Sequence, residues 1–349
     1  MISVIIPVYN TAKWLPLCLD SVLGQDYKSI EVILVNDAST DNSLDVCKRY
    51  AGEDNRIIII DKLQNEGPEL ARQLGYKNAN GEYVMYIDAD DWLDHSQVIS
   101  TMYRNTEDTG ADYAEIGMQR VLDRHKWIVK KCVASTPLLI EQPDLFDKYY
   151  LSFFGVNILS VNMWGKLYRK SVLDKADIKP LGVFMGEDLA YNIQLFPHLE
   201  RIYILNEIGY NYRMGGVTGR YNPHLLPDLK RLYLLKEELI DKYQYYKAHD
   251  WIRFELKNVL KTEICQRIAY GIDNNKEAAI STILTEINNP IYAKLNEVAK
   301  SSTFWNEPFV KGLMAKDGAA MYEICRRQIV RDLPKRLLKS MGGKLLNLI

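Results

Sequence analysis

Short apolar runs alternate with helical patterns over residues 1–95. The runs are rich in Val, Ile and other residues that favour strands, so they predict buried strands. They span residues 2–8, 30–35, 56–60 and 83–87. Between them, apolar residues recur at the three- and four-residue spacing of one helix face. This alternation predicts an α/β fold, with a mainly parallel sheet that carries helices on both faces.

Polar side chains follow the end of each predicted strand. In chain order they are Tyr9 and Asn10, Asp37, Asn65, and Asp88 with Asp90. Ligands of parallel sheets bind beyond the carboxyl ends of the strands, so we expect these side chains to share one binding edge. The alternative is that strand ends are polar only because loops are exposed to water.

The fourth strand ends in an acidic turn that contains Asp88, Asp90 and Asp91. Carboxylates this close repel one another unless a cation lies among them. Mg²⁺ and Mn²⁺ prefer oxygen ligands, and they are commonly held by one or two carboxylates together with substrate phosphates. The turn therefore predicts a divalent metal site. The alternative is an acidic turn that caps the next helix, with Asp94 or Ser96 at the N-cap.

The pattern after residue 95 is less regular. We expect helices over 96–109 and 143–154, and strands over 113–118 and 126–134 that could pair antiparallel. Glu187 and Asp188 open a further predicted helix that runs to about residue 196. Acids in a first turn are common partners of the helix dipole, so these two residues do not by themselves predict catalysis.

The chain is helical in pattern from residue 223 onward. One apolar stripe runs from Leu232 to Tyr243 and another from Ile252 to Ile268. Such stripes form either the core of the region or the seam of a homo-oligomer. Asn-rich segments at 273–275 and 288–290 predict breaks between helices.

The last segment, 326–349, is basic. Seven Lys or Arg residues face one acid, Asp332, and leucines interleave with them. This composition is typical of an amphipathic helix on an anionic membrane surface. The alternative is an ordinary C-terminal helix with solvated charges, and Pro334 and Gly342 interrupt any continuous helix.

The composition is that of an ordinary globular protein. Of 349 residues, 47% are hydrophobic and 26% are charged. The net charge of -1 provides no general basic field, so we expect no nucleic-acid partner. Five scattered cysteines argue against a disulfide framework and favour a reducing compartment. With no signal-peptide pattern and no apolar run of ~20 residues, we expect a cytoplasmic protein or one peripheral on the inner membrane face.

A series of short motifs follows one another along the first two-thirds of the chain. They are Ser3-Val4-Ile5-Ile6-Pro7-Val8-Tyr9-Asn10, Val35-Asn36-Asp37-Ala38-Ser39-Thr40-Asp41, Asn65-Glu66-Gly67 with Ala71-Arg72, Gly81-Glu82-Tyr83, Asp88-Ala89-Asp90-Asp91, Trp164-Gly165-Lys166-Leu167-Tyr168, Gly186-Glu187-Asp188 and Tyr210-Asn211-Tyr212-Arg213. Each motif alone is common, but the ordered series is specific. It resembles the family 2 glycosyltransferases of bacterial polysaccharide and cell-surface glycan synthesis, which are inverting enzymes with the GT-A fold.

The resemblance implies a nucleotide-diphosphate sugar, a UDP-sugar above all, as the donor. The donor-binding residues would be Pro7, Tyr9, Asp37, Asn65, Arg72, Asp88 and Asp90. Asp37 would accept from a uracil-type N–H. Asp88 would contact the ribose, and Asp90, with Asp88, would hold Mn²⁺ or Mg²⁺. Asp188, beside Glu187, would be the general base. The acceptor-side residues would be Asp91, Trp164, Lys166 and Arg213.

Three positions depart from the family pattern. Glu69 stands where a small residue is common, Gln73 where Asn is usual, and Gly165 where Asn is common. The carboxylate set itself is intact.

The implied reaction places a specific demand on Asp188. The acceptor hydroxyl must lose its proton as it attacks the anomeric carbon. At the start of a helix the dipole lowers a carboxylate pKa, which would make Asp188 a weaker base. We therefore expect position rather than basicity to supply most of its effect.

We predict a GT-A catalytic domain over 1–222, followed by a helical region over 223–349. Within the first, 1–95 is the nucleotide-binding half and 96–222 the acceptor half. The expected reaction transfers a sugar to a hydroxyl of a glycan or of a lipid-linked acceptor.

Three other functions compete with this hypothesis. A nucleotidyltransferase usually has a Gly-rich phosphate loop near the first strand, and residues 8–13 contain no Gly. A glycoside hydrolase needs neither nucleotide-binding residues nor a metal. A non-catalytic membrane-surface scaffold has no need of Asp37, Asp90 and Asp188 together.

Overall fold

The computed structural model describes residues 1–122, 127–155, 158–214, 221–298 and 302–331. The chain divides into two compact units. One comprises Met1–Phe153 and Asn157–Gly216, and the other Phe154–Val156 and Val217–Ile349. The first unit is built around one sheet, and the second is helical.

Four parallel strands form the first half of the sheet. They are β1 (Ile2–Val8), β2 (Ile30–Asn36), β3 (Ile57–Asp61) and β4 (Tyr83–Tyr86), in the order β3-β2-β1-β4. Helices α1 (Leu15–Leu23), α2 (Ser43–Glu53) and α3 (Pro68–Lys77) connect them. All residues of β2 are buried, as is typical of a central parallel strand. The α/β prediction is confirmed.

The second half of the sheet mixes strand directions. Its strands are β5 (Trp92–Leu93), β6 (Tyr113–Val121), β7 (Ile128–Cys132), β8 (Leu138–Glu141), β9 (Lys166–Arg169) and β10 (Arg201–Arg213). Strand β9 lies antiparallel between β4 and β6, and β10 runs parallel to β6. Strands β5, β7 and β8 pair antiparallel with these. This half also contains α4 (Val98–Thr109), a π-helical turn (Leu145–Tyr150), α5 (Lys170–Ala176) and α6 (Glu187–Leu195).

Strand β10 is the largest difference from the predicted elements. Its polar residues hide the strand pattern in the sequence, but inside the sheet they find partners. Asn211 is fully buried, accepts from Gln119 Nε2 at 2.8 Å and donates to Asp94 Oδ1 at 3.1 Å. The pairing predicted for 113–118 and 126–134 is confirmed by β6 and β7, although residue 126 lies outside the described residues.

The second unit is helical, as predicted. It contains α7 (Leu225–Tyr243), α8 (His249–Tyr270), α9 (Lys276–Ile287) and α10 (Pro308–Met314), and residues 318–331 are also helical. Both apolar stripes contribute to its core: Leu232 is 2% exposed and Leu260 is fully buried. The break at 273–275 is confirmed, and Asn275 caps α9 by accepting from the Ala278 amide at 2.8 Å.

The expected membrane contact is not tested by the structure. Among the described residues, no helix is both long enough and apolar enough to span a bilayer. Most of the basic segment, from residue 332 onward, lies outside the described residues.

Candidate active site

Asp37, directly after β2, is buried, and groups from the loop after β3 hold its carboxylate. Its Oδ1 accepts from Lys62 Nζ at 2.5 Å and from the Glu66 amide at 3.1 Å. Its Oδ2 accepts from the Gly67 amide at 2.8 Å. The parallel register of β2 and β3 brings Asp37 and Lys62 side by side. A carboxylate is thus fixed at this edge of the sheet, and its Oδ2 has capacity for a further donor.

The loops after β1 and β2 are joined beside it. Asn10 has a φ of 53°, and its Oδ1 accepts from the Thr40 amide at 2.8 Å. The Ala12 amide donates to Asp41 Oδ2 at 3.1 Å. Next to this connection Tyr9 remains 47% exposed, so its ring is accessible at the edge.

Arg72 on α3 is buried, contacts the carboxylates of Asp88 and Glu187, and lies in the field of Asp188. Its Nη2 donates to Asp88 Oδ1 at 2.6 Å, and its Nη1 lies 3.7 Å from Glu187 Oε1. Burial opposes its charge, but the field of Asp88, Asp188 and Glu187 outweighs burial and raises the pKa of Arg72. Its Nε and Nη1 have no hydrogen-bond partner within the described protein. Arg72 therefore links the acidic turn after β4 to the start of α6 and keeps donors for an anionic ligand.

Glu187 and Asp188 form the first turn of α6. Asp188 Oδ1 accepts from the Met163 amide at 3.3 Å. Burial raises the pKa of Asp188 to about 6. Burial and the charge of Asp188 together raise the pKa of Glu187 to about 7. The expectation that the helix dipole lowers the pKa of Asp188 is therefore wrong, because desolvation outweighs the dipole.

A pocket of about 270 Å³ lies at the centre of the site. It is lined by Arg72, Asp88, Met118, Arg120, Asn162, Trp164, Glu187, Asp188 and Tyr212. Five of these were predicted as site residues, and they include both acids of α6. Asp37 and Asp90 are not part of its lining. Asp37 is nevertheless linked to it through α3: the amide of Gly67, the residue before α3, donates to Asp37, and α3 carries Arg72.

Asp90 faces Arg213. Nη2 of Arg213 donates to Asp90 Oδ2 at 2.5 Å, and its guanidinium lies 4.8 Å from the centroid of the Trp14 ring. The Asp90 side chain keeps 28% of its surface exposed. Arg213, which we predicted on the acceptor side, thus contacts a predicted metal ligand.

Asp91 and Lys166, also predicted on the acceptor side, are buried. Asp91 accepts from the Tyr210 hydroxyl at 2.9 Å and from the Arg213 amide at 2.8 Å. Lys166 donates to two backbone carbonyls of the segment before β9, at 2.9 and 2.7 Å. This placement does not agree with acceptor contact, because both side chains are buried and hydrogen-bonded to other protein groups. Asp91 and Lys166 instead support the backbone around the pocket.

Trp164 forms an aromatic wall. Its ring stacks on Tyr210 and Tyr212, at centroid distances of 4.5 and 5.3 Å. The Arg120 guanidinium lies 6.0 Å from the Tyr212 ring centroid. Flat apolar surface beside a cation is well suited to a polar ring such as a sugar.

The capping interpretation of the acidic turn is wrong. Helix α4 begins at Val98 with Gln97 at its N-cap and no side-chain cap hydrogen bond. Asp94 instead accepts from Gln119 Nε2 at 3.1 Å.

The acidic turn has a donor set that suits a hard divalent cation. In the part of the chain that the structure describes, no three His, Cys, Asp or Glu side chains converge on one possible metal position. Asp88 and Asp90 are 26% and 28% exposed. A site of one or two carboxylates, completed by substrate phosphates, needs no third acid, so these two residues fit.

Sequence reasoning missed Lys62 beside Asp37 and four residues of the pocket lining, Met118, Arg120, Asn162 and Tyr212. The contact of Lys62 with Asp37 can be recognised only from the register of β2 and β3. Arg120 lies two residues after Met118 on β6, so both point to the same face, but this is visible only once the strand is placed. Tyr212 belongs to a quoted motif, yet its place in the pocket depends on β10.

Comparison with known proteins identifies the family. Residues 3–175 match the model for glycosyl transferase family 2. Glycosyltransferase GlyA of Streptococcus pneumoniae serotype 4 is 32% identical over 218 residues, which are 61% of this chain and 30% of GlyA. The uncharacterized glycosyltransferase EpsJ of Bacillus subtilis is 29% identical over 215 residues, 61% of each chain. The chain thus spans less than two thirds of the length of these relatives.

A solved structure agrees at the level of the fold. The crystal structure of S. aureus TarS in complex with UDP-GlcNAc has a TM-score of 0.65 and 20% identity, over 94% of this chain and 92% of that one. Through residues 3–175, the chain belongs to glycosyl transferase family 2, and its fold is that of the GT-A glycosyltransferases.

Proposed function

We propose that this protein is an inverting glycosyltransferase that moves a sugar from a nucleotide-diphosphate sugar to an acceptor hydroxyl in cell-surface glycan synthesis. The observation that carries the proposal is the shared pocket of Arg72, Asp88, Glu187 and Asp188 at the carboxyl end of β4. An anion-binding cation and a partly buried base are thereby brought to one place.

Asp188 is the general base in this proposal. It receives the proton of the acceptor hydroxyl as that oxygen attacks the anomeric carbon, and direct displacement inverts the configuration there. Its pKa of about 6 leaves it ionised at neutral pH and a stronger base than an ordinary Asp. The Met163 amide fixes its orientation.

The donor is a UDP-sugar in this proposal. Tyr9 and Pro7 offer apolar contact for the base, Asn65 lies in the exposed loop after β3, and Asp37 accepts from the base N–H. Arg72 donates to the diphosphate through Nε and Nη1, which have no hydrogen-bond partner within the described protein. The complex of TarS with UDP-GlcNAc supports a uridine nucleotide for a related fold.

Asp88 and Asp90 would hold Mg²⁺ or Mn²⁺. A bound divalent cation supplies Lewis-acid neutralisation of the leaving diphosphate. Arg72 and Arg213 keep the two carboxylates in place by direct hydrogen bonds. Trp164, Arg120 and Tyr212 form the wall on which the acceptor glycan rests.

A binding and transfer experiment tests this proposal. Sugar nucleotides with different bases are screened by thermal shift with Mn²⁺, since a ligand that binds only the folded state raises its stability. We expect UDP-sugars to stabilise the protein. The Asp188→Asn variant should keep that shift and lose transfer by about 10²- to 10⁴-fold. Release of pyrophosphate from a nucleoside triphosphate, or equal turnover by the variant, would contradict the proposal.

The basic segment 326–349 gives the protein a means to reach a lipid-linked acceptor. Its Lys and Arg residues interleave with Leu, which suits an anionic cytoplasmic leaflet. Full-length protein should float with anionic liposomes more than protein truncated after residue 331. Equal flotation of the two would refute this role.

A further inference from the structure

Glu69, in the first turn of α3, holds a loop far away in the sequence. Its Oε1 accepts from the Leu181 amide at 2.7 Å. Its Oε2 accepts from the Gly182 amide at 2.7 Å and from the Val183 amide at 3.1 Å. Three successive backbone N–H groups thus converge on one carboxylate, an arrangement that binds anions strongly.

Gly182 makes this convergence possible. Its φ is 69°, in the left-handed region, while a Cβ at this position would meet no atom within 4 Å. Glycine is therefore required by the backbone conformation rather than by crowding. The loop is shaped to present its amides to Glu69.

Residues 178–186, which we name the Glu69 loop, connect α5 to α6. The loop ends at Gly186, and the next two residues are Glu187 and Asp188. A cavity of about 270 Å³ lies beside it, with Ile178 and Pro180 in the lining. Part of the loop therefore borders a cavity instead of packed core. Its position depends strongly on polar contacts such as those of Glu69.

The loop also reaches the edge that holds Asp37. Phe184 lies against Gly67. The two are so close that a Cβ built on Gly67 would be only 2.9 Å from the Phe184 ring. The Gly67 amide donates to Asp37. Two residues after Gly67, Glu69 binds the same loop, so the start of α3 contacts both the Asp37 carboxylate and the loop that carries Phe184.

We propose that Glu69 is a positioning residue of the nucleotide site: by binding the amides of residues 181–183, it holds Phe184 against Gly67 and so shapes the pocket for the base beside Asp37. This inference rests on the proposed function, since it needs a nucleotide at that edge. It also explains why an acid stands where the family commonly has a small residue, because here the acid is part of the site architecture.

Two measurements on three variants test the inference. The variants are Glu69→Ala, Glu69→Gln and the control Asp45→Ala, which removes an exposed acid from the first turn of α2. Amide hydrogen exchange of the free protein reports the anchoring of residues 181–183. Calorimetry with UDP and Mn²⁺ reports the nucleotide site.

We expect Glu69→Ala to speed exchange at residues 181–183 and to weaken UDP binding by about 10- to 100-fold, the equivalent of one charge-assisted hydrogen bond. Glu69→Gln retains one acceptor oxygen and should lie between wild type and Ala. Asp45→Ala should match wild type in both measurements. If Glu69→Ala fails to fold, the Gln variant decides.

Each other outcome has a definite meaning. Unchanged exchange would overturn the anchoring, and faster exchange with unchanged UDP affinity would overturn the positioning role. A uniform loss of exchange protection over the whole first unit would also overturn it, because the effect would then be general stability. Failure of wild-type protein to bind UDP would instead count against the proposed function, so the two failures are distinguishable.

Discussion

Replacement of Arg72 by Met removes a buried cation and retains an unbranched side chain of similar reach. Arg72 is 5% exposed, and its Nη2 lies 2.6 Å from Asp88 Oδ1. Loss of one partner of a buried ion pair costs about 3–5 kcal/mol, because the other charge stays buried. Since the Asp88 side chain is 26% exposed, we expect the lower end, about 3 kcal/mol, in the free energy of unfolding at neutral pH.

The cost should depend on pH in a definite direction. Burial raises the pKa of Asp188 to about 6 and of Glu187 to about 7 against the opposing field of Arg72, so both pKa values rise further in the variant. Both folded-state values lie above the ordinary ones of 3.8 and 4.5. The penalty for burying these charges is therefore complete above the folded pKa and vanishes below the ordinary one. We expect the Arg72→Met cost to be largest at alkaline pH and to shrink at acid pH.

Urea unfolding followed by tryptophan fluorescence measures this cost. Four of the six tryptophans, Trp14, Trp92, Trp127 and Trp164, belong to the first unit, so the signal chiefly reports that unit. Arg49→Met is the matched control, because Arg49 is exposed on α2, and it should change stability by no more than about 0.5 kcal/mol. A variant as stable as this control, or a cost that grows as the pH falls, would refute the reasoning.

Three further predictions concern the activity and nucleotide binding of the site. The transfer rate should rise with pH through a midpoint near 6 as Asp188 loses its proton, and Arg72→Met should move that midpoint upward; a midpoint near 4 in wild type would contradict the burial argument. Asp90→Ala should weaken Mn²⁺-dependent UDP binding by about tenfold or more, with little change when Mn²⁺ is absent, and calorimetry at both conditions checks this. Lys62→Met removes the cation from Asp37 and should weaken UDP binding by about tenfold, whereas Lys48→Met, at an exposed position of α2, should not. Equal UDP affinities of the two variants would show that Lys62 does not organise Asp37.

Much of the site was visible in the sequence because its signals are local. The acidic turn follows β4 directly, and Glu187 and Asp188 open α6 in the predicted way. The structure brings Asp88 and Asp188 to one pocket. Spacing along the chain was sufficient here, because the position of a residue at a strand end or in the first turn of a helix determines where its side chain lies.

Contacts between distant segments were not visible in the same way. The sequence does not show that Arg213 lies on Asp90, 123 positions away, or that Glu69 binds amides more than 110 positions away. Arg213 was assigned to the acceptor side, and Glu69 was noted only as a departure from the family. The sequence shows that Arg213 and Glu69 are charged, but it does not show their partners. The partner of Arg213 depends on strand order, and the partners of Glu69 depend on the course of the loop before α6.

The sequence by itself determined the alternation of strands and helices, the order of the family motifs and the set of carboxylates. These depend on periodicity and on neighbours along the chain. Only the tertiary structure decided which cation meets which carboxylate, and that Asp188 has a raised rather than a lowered pKa. The reason is that ion pairing and desolvation depend on what packs around a group in space, and residues remote in the sequence supply most of that environment.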